Sequence, residues 1–387
     1  MIFVHPRFKN LLSFPQSIRL SSVLLISLAT VLTPAVYAQE SSTDFKITGF
    51  VSLVGGKVMQ GDANGTPIAG AKCPCYTADW GNAGVYRDQF SLKPESRAGI
   101  QFNYKPSADL SLVSQIVVRG TDTTPNIQWA YAGYKLDKHW EVQLGRKRIP
   151  LYYYSDFQDI GLSYPWVSTP PELYGWEVTN YNGASLRYNN NFGDTNLTAS
   201  IFGGSEKVKD PLYLSLYYPN KSEVSWKSII GADMEINNGP LTVRGVYMQA
   251  NARSQVFDLE QDDTAKLSAY GVAINLDLDN WFVLSEVTQL RRNFVEGGYS
   301  YKAPAFTLGA GVHLGEWTPF LNYAEYTEKS SDESKYAPQS YKRLSFTLKY
   351  DLDASSAVKA QIDRHTDTTK NFGGDATVLR VSYDRVF

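Results

Sequence analysis

The sequence has 387 residues and an almost balanced charge, with 37 Lys and Arg against 39 Asp and Glu, and a net charge of -2. This balance lacks the basic surplus of nucleic-acid-binding proteins, so it argues against a nucleic acid as a partner. The mean hydropathy of -0.29 is that of a soluble protein, but it is equally typical of a membrane β-barrel whose lumen and loops are polar. Aromatic residues make up 13% of the chain and include 26 tyrosines, as expected where rings lie at two membrane interfaces.

The N-terminal segment has the layout of a secretory signal peptide. Three basic residues precede an apolar core over residues 23–32, and small residues follow up to Ala38. We therefore predict a signal peptide over residues 1–38 and a single mature domain over residues 39–387. The apolar core has half of the roughly 20 residues that a membrane helix needs. No second apolar stretch of that length follows, so a membrane-spanning structure would have to be a closed barrel.

Alternation of apolar and polar residues with period two recurs along the mature chain, in segments of about ten residues. The clearest segments are residues 97–104, 110–119, 270–278 and 343–352. The last segment, residues 376–387, has Tyr383 and Phe387 on its apolar face. Lipid on one side of a strand and water on the other select for this pattern. The predicted fold class is therefore all-β, a transmembrane antiparallel β-barrel.

The predicted connections alternate between short and long, which is a second feature of outer-membrane barrels. Short polar turns are predicted at residues 105–109, 137–139, 189–194, 237–239, 277–280, 315–316 and 353–355. Longer links are predicted at residues 59–86, 151–176, 205–224, 250–264 and 328–341. The strand count is 16, with 14 or 18 as alternatives because the segments near Thr121 and Arg292 are weakly marked. A soluble β-sandwich fits less well, since sandwiches rarely need so many strands.

Three motifs follow one another in the middle of the chain. They are Leu144–Pro150, an aromatic-rich stretch that ends in Pro171–Gly175, and Asn182–Tyr188. In this order they resemble the general porin family of Gram-negative outer membranes. The resemblance implies a homotrimer of 16-stranded barrels, each a water-filled channel narrowed by a loop folded into the lumen. It also implies outer-membrane lipid and lipopolysaccharide as surroundings.

The resemblance further implies acidic residues on the inserted loop that face basic residues on the barrel wall. The acidic role falls on Glu172, with Asp156 and Asp159 nearby, and the basic role falls best on Arg97. Gln128 stands where many members of the family have an arginine. We therefore expect the basic cluster to be partly lost or rebuilt in this chain.

The alternation itself also predicts a basic lumen wall. Basic residues lie on the non-apolar faces of their strands at Arg97, Arg119, Arg187, Arg244, Arg343, Lys349, Lys359 and Arg380. A lipid-facing Arg or Lys at the bilayer centre costs roughly 2 to 4 kcal/mol, so these side chains should face inward. The predicted pore constriction consists of Asp156, Asp159, Glu172, Arg97, Arg119 and Arg380. In the alternative, the basic residues pair with luminal acids such as Asp351, Asp363 and Asp384 and fill a narrow barrel.

The predicted long loop is rich in aromatic residues, which allow two roles. Tyr152, Tyr153, Tyr154 and Trp166 are the candidates for stacking on a sugar or a planar solute. The favoured alternative is that the rings pack the loop against the wall, because irregular backbone at membrane depth must be buried or line a cavity.

The chain has two cysteines, Cys73 and Cys75, in the first long loop. In the oxidising setting outside the membrane we predict a strained disulfide between them. Reduced thiols or a weak metal site are the alternatives, and a structural zinc site is not expected because it needs four ligands.

Together these features predict an outer-membrane porin for passive diffusion of small hydrophilic solutes and ions. A channel specific for oligosaccharides or aromatic compounds is one alternative. A second is a plugged binding or adhesion barrel that uses the loop 205–224 with Tyr213, Tyr217 and Tyr218. We expect no enzymatic activity and no cofactor, because no nucleophile motif, Gly-rich phosphate loop or nucleotide fingerprint is present.

Overall fold

The computed structural model describes residues 44–62, 74–217, 220–369 and 374–387. The predicted signal peptide, Cys73 and Tyr218 lie outside these residues. The strands, in chain order, are β1 (Phe45–Gly61), β2 (Tyr76–Asp79), β3 (Gly84–Tyr86), β4 (Arg97–Tyr104), β5 (Leu110–Arg119), β6 (Asn126–Lys135), β7 (Trp140–Arg148), β8 (Asn180–Phe192), β9 (Thr195–Lys209), β10 (Ser222–Asn238), β11 (Leu241–Val256), β12 (Gln261–Asp277), β13 (Trp281–Phe294), β14 (Tyr299–Val312), β15 (Trp317–Thr327), β16 (Lys329–Ser330), β17 (Ser340–Asp353), β18 (Ser356–Asp367) and β19 (Ala376–Val386). The helical elements are α1 (Leu212–Ser215) and the 3-10 turns Ser155–Phe157, Gly161–Ser163 and Phe257–Leu259.

Sixteen of these strands form one closed antiparallel barrel, which confirms the predicted fold class and strand count. Each barrel strand pairs with its neighbours in sequence, and β1 closes the ring by pairing with both β4 and β19. The two-residue β16 pairs with β14 and extends the line of β15. The remaining strands, β2 and β3, form a separate hairpin in the first long loop. Among the described residues, no helix is long and apolar enough to cross a membrane.

The barrel closes at a position that requires a glycine, Gly49. The Phe387 amide donates to the Gly49 carbonyl at 2.9 Å, and the Gly49 amide donates to the Phe387 carbonyl at 2.7 Å. The Phe387 ring lies against Gly49 so closely that a Cβ there would meet the ring at 2.5 Å. Any side chain at position 49 would therefore displace the ring.

The outer surface of the barrel is apolar. On β17, Leu344 and Phe346 are exposed on the outside, while Arg343 and Ser345 are buried on the inside. The exposed tryptophans Trp140, Trp281 and Trp317 each begin a strand directly after a short turn, where a belt of aromatic side chains meets the membrane interface.

The seven predicted short turns all fall between consecutive barrel strands and lie at one rim, which by the rule for such barrels is periplasmic. The long links at 205–224 and 250–264 differ from the prediction, because strand residues occupy 8 of the 20 positions of the first and 11 of the 15 positions of the second. β9 continues to Lys209 and β11 to Val256. The strands here have 15 to 17 residues, more than the roughly 9 to 11 that span the bilayer. Their outer ends have no apolar lipid-facing side, so the sequence pattern predicted a loop there.

The loop between β7 and β8, residues 149–179, folds into the lumen. Its largest anchor is Trp166, which is 1% exposed and packs edge-on against Phe320 at 5.2 Å between ring centroids. Phe320 in turn stacks on Phe282 at 5.6 Å. We call residues 149–179 the constriction loop.

Candidate pore and its constriction

The constriction loop is fastened to the β17–β19 side of the wall by its backbone. Lys359 on β18 donates to the carbonyls of Gly161 and Trp166 at 2.6 and 2.7 Å. The Val167 amide donates to Oε1 of Gln361, also on β18, at 2.9 Å. These bonds satisfy backbone groups that have no sheet partner at membrane depth, where an unsatisfied group is costly.

A buried network of ion pairs reinforces this side. Arg343 on β17 binds the carboxylate of the loop residue Glu172, with Nε 3.1 Å from Oε1, and it also binds Asp363 at 2.8 Å. Arg380 on β19 binds Asp363 at 2.9 Å and Glu95 at 2.7 Å. The side chains of Arg343, Arg380, Glu172 and Asp363 are fully excluded from solvent. The structure thus joins Glu172 to Arg343 and places both Glu172 and Arg380 away from open water, unlike the sequence-based expectation.

Both ends of the constriction loop are held by the opposite part of the wall. Glu286 on β13 accepts hydrogen bonds from the Tyr174 hydroxyl at 2.6 Å and from the Tyr153 amide at 2.9 Å. Arg244 on β11 donates to the carbonyls of Tyr153 and Pro150 at 3.1 Å each. The loop is therefore fixed around much of its length.

Two arginines bind one loop carboxylate, that of Asp159, and a third arginine binds the backbone of the same residue. Nη2 of Arg119 lies 2.8 Å from both carboxylate oxygens, and Arg148 on β7 binds the same group. Nε of Arg97 donates to the Asp159 backbone carbonyl at 2.8 Å. Burial raises the pKa of the Asp159 carboxyl, but the guanidinium groups of Arg119, Arg148 and Arg97 outweigh burial and hold that pKa below its ordinary value. The group is an anion that Arg119 and Arg148 share.

Open space remains on the β5–β11 side of the lumen, in two cavities. We call the outer one the vestibule; it is lined by the ends of β5 to β9 and by α1, and it includes Arg119 and Gln128. The inner cavity is lined by β7 to β11 and by the loop residue Asp156, with Lys147 among its basic groups. Arg148 lines both cavities, so its side chain lies between them, beside Asp159. A third cavity, lined by Tyr153 and residues of the periplasmic turns, opens at the periplasmic rim.

The predicted constriction residues therefore fall into three groups. Arg119 and Asp156 line open cavities. Asp159 and Arg97 are buried and bind each other beside that space. Glu172 and Arg380 are buried in the ion-pair network on the far side, because that network anchors the loop.

Sequence reasoning missed Arg148, and it missed the partner of Arg343. Arg148 belongs to the quoted Leu144–Pro150 motif, but alternation assigns it no direction because it ends its strand. Arg343 was expected to face inward, yet its partner Glu172 is remote in sequence. Alternation predicts on which face of a strand a residue lies, but it does not predict which residue the side chain contacts.

Most of the loop aromatics pack the loop, as the favoured alternative expects. Tyr152, Tyr154 and Trp166 are buried, and the rings of Tyr152 and Tyr174 lie 4.5 Å apart. Tyr153 is half-buried and, with Tyr154, lines the periplasmic cavity. Of the four stacking candidates, these two alone are among the residues that line a described cavity.

The hairpin of β2 and β3 packs on the inner side of β1 and β19. Tyr76 and Tyr86 are buried there with Val58 and Val378, and Arg380 lies over the Tyr76 ring at 5.4 Å. Cys75 is buried and disulfide-bonded. Because Cys73 lies outside the described residues, the Cys73–Cys75 pairing stays a prediction.

The surface aromatics expected for an adhesion site are not gathered on the outside. Tyr213 is buried in the main hydrophobic cluster with Trp176, and Tyr217 is half-buried against that cluster. These rings fill part of the lumen beside the vestibule, which Trp176 also lines.

Comparison with solved structures gives the class to which this fold belongs. The outer-membrane channel DcaP of Acinetobacter baumannii superposes with a TM-score of 0.57 and 15% identity, covering 89% of this chain and 97% of that one. The anion-selective porin from Comamonas acidovorans gives a TM-score of 0.56 and 14% identity, covering 89% of this chain and 99% of that one. The in-vitro folded trimer form of OmpT from Vibrio cholerae gives 0.53 and 12%, covering 89% and 99%.

The fold is thus that of a Gram-negative outer-membrane β-barrel, and the apolar outer surface agrees with that location. At these identities the likeness concerns the fold alone. No protein-family model matches the chain, and no curated protein matches its sequence.

Proposed function

We propose that the protein is a porin that lets small hydrophilic solutes and ions diffuse passively across the outer membrane. The observation that carries this proposal is the pair of polar cavities on the β5–β11 side, which lie on either side of Arg148. A barrel of 16 strands is of the size that leaves an aqueous channel. The outer-membrane channel DcaP and the anion-selective porin, which share this fold, support the same proposal.

The charges beside the path favour a weak preference for anions. Arg119 and Arg148 share the carboxylate of Asp159 beside the cavities, and Arg97 binds the backbone carbonyl of the same residue. In the inner cavity the basic groups of Lys147 and Arg187 are opposed by Asp156 and Asp233. Fixed charge at a narrow, low-dielectric passage governs ion preference more than charge on distant loops, which salt screens over about 8 Å.

We also propose membership of the general porin family, a homotrimeric assembly and the absence of enzymatic activity. The order of the three sequence motifs supports the first, and the fold shared with the trimer form of OmpT supports the second. In support of the third, the buried polar groups of the lumen serve to hold the loop, as the bonds of Lys359 and Glu286 illustrate.

Planar-bilayer recording with the purified, folded protein tests the proposal. We expect ohmic conductance steps, grouped in threes for a trimer, and liposome swelling with small sugars. A barrel plugged by its aromatic cluster would instead show no steps and background swelling. That result from protein of verified fold would refute the diffusion function.

A further inference from the structure

The vestibule has an unusual chemical lining for a path that only lets solutes pass. Side-chain amides line it at Asn82, Asn126, Gln128, Gln158 and Asn180. Arg119 and Arg148 form its floor beside Asp159, and Trp176 lies at its edge. Amides present both donors and acceptors, whereas guanidinium groups present donors only. The lining can therefore recognise an anion that also bears groups able to donate and accept hydrogen bonds.

A β-bulge directs Gln128 to this site. In the pairing of β5 with β6, Gln115 lies opposite Trp129 and Ile116 opposite Ile127, so Gln128 is the extra residue. A bulge changes the direction of side chains on its strand. Gln128 is 6% exposed, and its Oε1 accepts no hydrogen bond within the described part of the chain. A buried acceptor without a donor is costly, so a ligand that donates to Oε1 would remove that cost.

Arg148 has a complementary spare donor. The side chain is 4% exposed, and its Nη2 binds Asp159. Its Nε makes no hydrogen bond to any described residue. Arg119 likewise uses Nη2 on Asp159, while its Nη1 is 3.9 Å from Asp122, beyond hydrogen-bond distance. Two guanidinium groups with spare donors thus share one carboxylate.

Most of the other acids that line the vestibule have partners of their own. Glu206 binds Arg146, Glu177 binds Arg292, Asp122 lies 3.9 Å from Nη1 of Arg119, and Asp210 accepts a hydrogen bond from the Ser222 amide. The attraction for an anion therefore rests on the unused guanidinium donors of Arg148 and Arg119. A fixed cation in a water-filled recess attracts a carboxylate or phosphate.

We propose that the vestibule is a binding site for small hydroxylated carboxylates, such as sugar acids. The ligand carboxylate binds the spare donors of Arg148 and Arg119, and a ligand hydroxyl donates to Gln128 Oε1. The hydroxyl requirement separates this class from simple anions, because an anion without a donor leaves Gln128 unsatisfied. This inference rests on the proposed channel function and names its preferred solute.

The test compares gluconate with glucose and acetate on the purified protein, because acetate is a carboxylate that has no hydroxyl donor. Isothermal titration calorimetry in detergent measures binding, and planar-bilayer recording measures block of the ion current. We expect saturable gluconate binding, with glucose and acetate each at least tenfold weaker. For Arg148→Gln we expect about a tenfold loss of gluconate affinity, as for a lost charge-assisted hydrogen bond. Gln128→Leu, which leaves the charge unchanged, should lose about fivefold.

Arg187→Gln is the matched control, because it removes the same charge from the inner cavity outside the vestibule. It should change gluconate affinity by less than about twofold, since screened charge acts weakly over distance. Equal losses for Arg148→Gln and Arg187→Gln would reduce the effect to the general field of the lumen and overturn the site. Equal affinity for acetate and gluconate would overturn the hydroxyl requirement.

Calorimetry keeps this test separate from the channel proposal. Gluconate binding without conductance would refute passive diffusion and leave the site standing. Conductance without selective gluconate binding would support passive diffusion and refute the binding site. Heat-modifiable migration on gels verifies that each variant is folded before either measurement.

Discussion

The carboxylate of Glu172 on the constriction loop and the guanidinium of Arg343 on β17 form a solvent-excluded ion pair, with Nε 3.1 Å from Oε1. Replacing Glu172 by Gln leaves a buried cation with only Asp363 as its carboxylate partner. Loss of one member of a buried pair costs about 3 kcal/mol. We expect Glu172→Gln to lower the free energy of unfolding, measured by urea unfolding in detergent micelles, by that order.

Because Glu172 is remote from the open cavities, ion selectivity should not follow the loss of stability. Glu333→Gln, at an exposed position, is the control for removal of one negative charge. A large shift of reversal potential in Glu172→Gln with unchanged stability would show that the residue lines the pore.

Gly161 marks the closest approach of the constriction loop to the wall. A Cβ at this position would meet Oδ1 of Asp384 at 1.9 Å and the Ser52 hydroxyl at 2.5 Å. Gly161→Ala should push the loop inward, weaken the Lys359 bond to its carbonyl, and change the single-channel conductance. Gly245→Ala on β11, where nothing lies within 4 Å, should leave conductance as in the parent protein. If both variants conduct alike, the loop does not depend on this contact.

The carboxylate of Asp159 is bound by Arg119 and Arg148, and Arg97 binds the backbone of the same residue. Asp159→Asn keeps the size of the side chain and removes the charge, so this cluster becomes more positive. Reversal potentials in a salt gradient should move toward anions. Asp332→Asn, in an extracellular loop, removes the same charge outside the lumen and should have little effect. An unchanged reversal potential in Asp159→Asn would place the selectivity-determining charges elsewhere.

The depressed pKa of Asp159 predicts a pH-dependent stability. A carboxyl whose pKa is lower in the folded than in the unfolded protein stabilises the fold above its unfolded pKa, about 4. That contribution declines as the pH falls from about 4 through the folded-state pKa. The difference in unfolding free energy between the parent protein and Asp159→Asn should therefore shrink on acidification. A difference that stays constant or grows would contradict the ionised, arginine-bound state.

The loop aromatics should divide into packing and lining residues. Trp166→Ala removes a buried ring that packs on Phe320, and truncation of a buried aromatic costs about 3 to 5 kcal/mol. Tyr153→Ala removes a half-buried ring at the periplasmic cavity and should cost much less. Urea unfolding distinguishes the two. Similar losses would mean that Tyr153 is also part of the packing.

The sequence predicts the barrel well because lipid and water impose a local rule on every strand. Leu344 faces out and Arg343 faces in, as alternation requires. Short turns such as residues 315–316 are marked by local composition. The strand ends beyond the membrane were less well predicted, since both faces of β11 near Val256 lie outside the lipid.

The site was harder to predict, because its contacts are non-local. Alternation gives no sign that Glu172 meets Arg343, or that Arg148 joins Arg119 at Asp159. Alternation also does not predict the bulge at Gln128, because an extra residue in a strand is recognised only from its pairing with the neighbouring strand. The sequence did signal a change at that position through the missing arginine.

The pairing of β1 with β19 has a consequence for the rate of folding. Phe50 and Val386 lie opposite each other in adjacent strands, although almost the whole barrel separates them along the chain. Contacts of such long sequence separation form slowly, because the entropy of loop closure must be overcome first. Until they form, β1 and β19 are unpaired edges that can bind other chains. The last step of folding is therefore the step at which aggregation competes most strongly, and additives that shield strand edges should raise the refolding yield.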